Sequence, residues 1–261
     1  MRTLIAGAAL LIAASVATNA QRPDTVFFED LTFDEIRDAI GGGSKNVIIA
    51  VGGAEDGGAQ IVVGRPSDVI TDTADRIARA VGDTLVAPVI PYAPGGLLPL
   101  REESSFTELL ESAANSAKGS GFENIFFIGE SAGSQQALAA VAERLDAAWK
   151  GDGVRVVHVS DYFVKARTAQ EMYLAKRLGL RLSADQARTF TATSEILAIN
   201  AQRTRLETLD NSGGAIPAPQ HGIALLKIKV DHAVAQIQTS LGRSRALAAP
   251  ASAPVELRLP L

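Results

Sequence analysis

The stretch Asn124-Ile125-Phe126-Phe127-Ile128-Gly129-Glu130-Ser131-Ala132-Gly133-Ser134 decides the fold. Ile125 to Ile128 is apolar without alternation, the pattern of a strand covered on both faces in a parallel sheet. Gly129 ends the run in a tight turn, and Ser134 to Trp149 continues with a helical pattern. The same strand-then-helix order recurs on either side. Val47 to Val51, Thr84 to Ile90 and Val154 to Val159 read as further buried strands. Ser67 to Val81 and Phe106 to Lys118 read as helices between them, and in the first Val69, Ile70, Ala74, Ile77 and Ala80 or Val81 recur at helical spacing. Leu31 to Ile40, Ala166 to Leu178 and Gln220 to Ser240 add further helices. This alternation predicts an α/β fold: three αβα layers around a mostly parallel, doubly wound sheet with right-handed crossovers. Sites in such sheets lie beyond the carboxyl ends of the strands. The segments to inspect are therefore Gly52 to Pro66, Pro91 to Ser105, Gly129 to Ser134 and Ser160 to Lys165.

Composition sets the bounds. Arg2, the apolar run Leu4 to Val16 and the small residues up to Ala20 have the layout of a secretory signal peptide cleaved near Ala20. Residues 21–242 then form one domain, and 243–261 reads as a loosely ordered Ala/Pro-rich tail. With no cysteine there is neither a lipidation thiol nor a disulfide framework. The expectation is a soluble exported protein, secreted or in a bacterial periplasm, without stable membrane insertion. A net charge of −4 with acids and bases interspersed gives no footprint for nucleic acid. Few aromatic residues argue against a base- or sugar-stacking platform.

The glycine turn admits a catalytic reading. Gly129-Glu130-Ser131-Ala132-Gly133 has the form G-x-S-x-G, in which Ser131 would be a nucleophile at the strand end. Gly52 and Gly53 could supply an oxyanion donor, and Asp161 with His221 or His232 could complete the chain order of a triad. His221, at a helix start after Pro217-Ala218-Pro219, is the better base of the two. His158, inside an apolar strand, reads as a core residue.

Several segments in order resemble the creatininase family. Phe28-Glu-Asp-Leu-Thr-Phe-Asp-Glu-Ile36 is similar to its opening L-T-W-x-E helix, and Val51-Gly-Gly-Ala-Glu-Asp-Gly-Gly-Ala-Gln60 falls where the family has G-S-x-E-Q-H-G-P-H. Ile128 to Gln135 resembles the N-G-H-G-G-N turn, Ala192 to Ile199 the E-T-S-x-M-L-A-L helix, and Gly213 to Gly222 the closing segment. The resemblance implies hydrolysis of small amides by a pair of divalent metals held by carboxylates and imidazoles at the strand ends. It places Glu55 at the first ligand position, Gly57 where a histidine is usual, and Asp68 two residues from the next carboxylate position. Ser131 replaces the histidine of the turn, Gly133 a glutamate and Ala192 another, and the lid between the second and third segments has no counterpart. The site expected is thus a degenerate one. Glu55 and Asp68 remain as candidate ligands for Zn²⁺ or Mn²⁺, and Ser131, Glu130 and His221 as catalytic candidates. Glu55, Asp56, Asp68 and Glu130 read either as a weak carboxylate site or as solvated loop charges. The functions in view are a hydrolase of a small amide, a pseudoenzyme binding a small ligand or partner, and a serine esterase-like hydrolase. Family resemblance also suggests a homo-oligomer.

Overall fold

The computed structural model describes residues 23–96, 103–208 and 216–242. The expected signal peptide and the Ala/Pro-rich tail lie outside the described residues, as do Leu97 to Leu100 and Gly213 to Ala215. Strands β1 (Asn46–Val51), β2 (Thr84–Val86), β3 (Asn124–Gly129) and β4 (Arg155–His158) form a parallel sheet in the order β2-β1-β3-β4. The apolar runs are covered on both faces, as their lack of alternation requires. Val47, Ile49 and Val51 of β1 point to one core with α1 (Phe33–Gly41), α3 (Glu103–Ser120) and α4 (Gln135–Trp149). Ile48 and Ala50 point to the other, with α2 (Arg65–Val81) and α7 (Pro219–Ser240). The expected three layers and parallel sheet are thus present.

From β1 the chain steps outward to β2 and then crosses back to β3 on the opposite side of β1. That reversal places the switch point between β1 and β3, where an open sheet forms its crevice. The run Thr84 to Ile90 is shorter as a strand than its composition predicts. Pro88 carries no N–H for the ladder, and the chain rejoins β1 only at Ile90, whose N–H donates to Ala50 O at 2.9 Å.

Two helices build a roof over one end of the sheet. α5 (Val164–Met172) runs into a π-helical turn at Tyr173–Arg177, and α6 (Ala184–Ile199) opens on a capping box between Ser183 and Gln186. α6 lies against α7 so closely that a Cβ on Gly222 would sit 1.8 Å from Ser194 O. No helix among the described residues is long and apolar enough to cross a membrane.

Candidate functional site

A cleft of about 510 Å³ opens over the carboxyl ends of β1 and β3, within the range of small-molecule sites. Its floor is charged, and its walls combine Phe163, Pro66 and the small residues Ala132, Ala187 and Ala192 with the charged Arg167, Glu171, Asp185 and Arg188. The first residue after β3 is Glu130, and it points into this floor. Arg65 comes from the first turn of α2, Glu195 from the C-terminal half of α6 and Lys229 from the middle of α7. All are withdrawn from solvent, with side-chain exposures of 15% for Arg65, 2% for Glu130, 0% for Glu195 and 8% for Lys229.

These groups pair with one another. Lys229 Nζ donates to both oxygens of Glu130, at 2.7 and 2.9 Å, and lies 3.5 Å from Glu195 Oε1. Arg65 Nη2 donates to Glu195 Oε2 at 2.6 Å and to Glu130 Oε1 at 3.1 Å. The Tyr162 hydroxyl, delivered by the turn after β4, donates to Glu130 Oε2 at 2.6 Å and lies 2.9 Å from Thr73 Oγ1. Gln170 of α5 donates to Glu195 Oε1 at 2.8 Å. Buried charges need such partners, because desolvation otherwise favours the neutral form.

The titration behaviour follows. Burial opposes the Glu130 carboxylate, but the Lys229 ammonium and then the Arg65 guanidinium overcome it and hold its pKa below the ordinary value. Burial also works against charge on Arg65, yet Glu130 and Glu195 outweigh it and its pKa stands raised. Burial, and then the Glu130 charge, push the Tyr162 phenol well above its usual value, so it stays a donor. Arg65 Nε is buried without a hydrogen-bond partner among the described residues.

The residues anticipated from sequence fall in different places. Glu55 and Asp56 line the cleft mouth, where Asp56 Oδ1 accepts from Gly58 N at 2.9 Å. Asp68 is held by Arg203 Nε and Nη2 at 2.7 and 3.0 Å and does not line the cleft. Ser131 is buried, and its Oγ accepts from Gly133 N at 3.2 Å, capping the turn that follows. Gly133 is required there for another reason: a Cβ would lie 2.0 Å from Pro94 O. No hydrogen bond joins Ser131 to a histidine among the described residues. His221 instead has its Nδ1 3.5 Å from the Tyr173 hydroxyl and its ring against Phe190. Asp161 pairs with Lys165, and the N–H groups of Gly52 and Gly53 go to Ile90 O and Ser67 Oγ. His158 is half-buried in β4 with Nε2 3.0 Å from Gln135 Oε1. Among the described residues no group of three or more His, Asp or Glu is placed to hold a metal ion.

Arg65, Glu195 and Lys229 were not singled out by sequence reasoning. A signal for Lys229 does exist, since it interrupts the α7 stripe Leu225, Ala233, Ile237 at helical spacing. Arg65 carries a second one: a cation in the first turn of a helix opposes the helix dipole and needs a local reason.

Comparison with known proteins adds the context. The family model Creatininase, described as creatinine amidohydrolase, matches residues 29–236. A search of the curated proteins found no match. Among solved structures, a creatinine amidohydrolase (creatininase) is similar with a TM-score of 0.64 at 16% identity, covering 84% of this chain and 98% of its own. One described as "Creatininase Mn" has a TM-score of 0.64 at 16% identity, over 83% and 98% of the respective chains. A creatininase mutant of Zn-Zn type has a TM-score of 0.65 at 16% identity, over 84% and 99%. At this identity the structural likeness concerns the fold.

Proposed function

The chain belongs to the creatininase family, and from that premise we propose that its cleft binds a small polar molecule without the metal-pair hydrolysis of its relatives. The family fold points to an amidohydrolase type of function and a small-molecule substrate. What argues for a changed use is the state of the two buried carboxylates of the cleft: Glu130 and Glu195 are both engaged by Arg65 and Lys229. A catalytic metal takes about three protein ligands, usually including imidazole. Here Glu55 keeps its expected position, Asp68 is turned to Arg203, and among the described residues no imidazole lines the cleft. These donors do not fit a dinuclear centre.

The binding half of the reading rests on the cleft itself. It is large enough for a small molecule, and the Arg65 guanidinium, 15% exposed, lines it as a donor that a ligand oxygen can meet. The leader-like segment Arg2 to Ala20 supports action outside the cytoplasm, in a bacterial periplasm or beyond.

The test pairs metal analysis of purified protein with turnover assays on creatinine and a panel of small amides and esters. The reading expects no stoichiometric metal and no turnover, with ligands found by thermal shift and lost on Arg65→Met. Turnover that disappears with Glu55→Ala or Ser131→Ala would establish a hydrolase instead.

A further inference from the structure

We propose that Arg65 and Lys229 are built-in substitutes for divalent cations, and that removing either one opens a metal site between Glu130 and Glu195. The proposal rests on the reading above that the wild-type cleft takes no metal pair, and it says what keeps the metal out.

Each cation contacts both anions. Lys229 presents a compact point charge to Glu130 at 2.7 and 2.9 Å and to Glu195 at 3.5 Å. Arg65 Nη2 spans the same pair at 3.1 and 2.6 Å. A single cationic atom in contact with two carboxylates neutralises them as a bridging divalent ion would. The two cations and two carboxylates sum to zero charge. A divalent ion added to them would leave an uncompensated double charge in a desolvated site, which is strongly unfavourable. It can enter only by displacing a cation, and Lys229 cannot withdraw to solvent. Its stem rises from the buried α7 stripe of Leu225, Ala233 and Ile237.

The carboxylates, by contrast, stay supported without Lys229. Tyr162 still donates to Glu130 Oε2, Arg65 to Glu130 Oε1 and Glu195 Oε2, and Gln170 to Glu195 Oε1. The vacated ammonium position is then flanked by hard oxygen donors suited to Mn²⁺ or Mg²⁺.

The experiment compares Mn²⁺ binding by calorimetric titration in wild type, Lys229→Ala and Arg65→Ala. The variants should bind Mn²⁺ at least about tenfold more tightly than wild type, a difference of about 1.4 kcal/mol. Adding Glu130→Gln should abolish the gain. If Lys229→Ala is unfolded in metal-free buffer, Mn²⁺ should restore its circular dichroism, and Arg65→Ala, which keeps Lys229 on both carboxylates, carries the titration. Absence of any gain in both variants overturns this proposal alone. Stoichiometric metal in the wild type overturns it together with the binding reading. Metal-free turnover by the wild type overturns only the binding reading.

Discussion

Replacing Lys229 by Met removes the ammonium and keeps most of the stem. Glu130 is then left buried with Arg65 Nη2 at 3.1 Å and the Tyr162 hydroxyl at 2.6 Å. Breaking a buried pair from one side costs about 3–5 kcal/mol. In a domain of this size each kcal/mol moves Tm by about 2–4 °C, so a fall of about 6–20 °C is expected. Glu130→Gln should cost a similar amount, because Lys229 retains only Glu195 at 3.5 Å, beyond a good hydrogen bond. The double variant Glu130→Gln/Lys229→Met restores charge balance, leaving Arg65 with Glu195 at 2.6 Å. It should therefore be more stable than the sum of the single effects, with a coupling of at least about 2 kcal/mol. Urea unfolding at neutral pH, with equal slopes across the cycle, measures that coupling. Additivity within about 0.5 kcal/mol would refute the reasoning, since it would mean that packing of the side chains, and not their pairing, holds this floor together.

Acid unfolding carries a second prediction. The folded pKa of Glu130 lies below its unfolded value, so its contribution is full above about pH 4.3 and is lost as pH falls through the folded pKa. Glu130→Gln should flatten that part of the stability curve. Burial lowers the His158 pKa, so neutral His158 stabilises above about pH 6.5 and the contribution fades as pH falls below it. His158→Gln should remove that slope, and an unchanged urea midpoint profile would count against the burial argument. Tyr162→Phe should cost about 1.5–3 kcal/mol through the lost hydrogen bond to a charged acceptor, and much less when Glu130 is already Gln. Gly222→Ala forces a Cβ to within 1.8 Å of Ser194 O, so it should destabilise by about 1–3 kcal/mol or more as α6 and α7 separate. A change smaller than about 0.5 kcal/mol would show that the helices yield easily.

The layered fold was legible because its strands are covered on both faces. Ile125 to Ile128 and Val47 to Val51 had no polar positions to blur, and α2 and α7 carried clear boundaries in Pro66 and Pro219. α6 was harder to read. Phe190, Thr193, Ser194, Glu195, Ile196 and Leu197 are all buried, so it shows no clean apolar stripe and was visible only in part, through family resemblance at Ala192 to Ile199. The cleft was read at its loops and missed on its helices. Attention to carboxylates and imidazoles favoured Glu55 and Asp68, whereas the structure brings Glu130 together with cations from α2 and α7. Charge pairing between segments far apart in the chain leaves no local pattern. The exceptions are the intrusions of Lys229 into an apolar stripe and of Arg65 at a helix start.

That remoteness has a kinetic consequence. Arg65 meets Glu195 across 130 residues, and Lys229 meets Glu130 across 99. The ion cluster can close only once α2, α6 and α7 have come together, and contacts between such distant segments carry a loop-closure cost. Interactions absent from the transition state change the escape rate from the native state and leave the refolding rate nearly untouched. If the cluster closes after the transition state, its four charges act as a latch on unfolding. Such a latch lengthens native-state lifetime wherever cleavage outpaces reclosing.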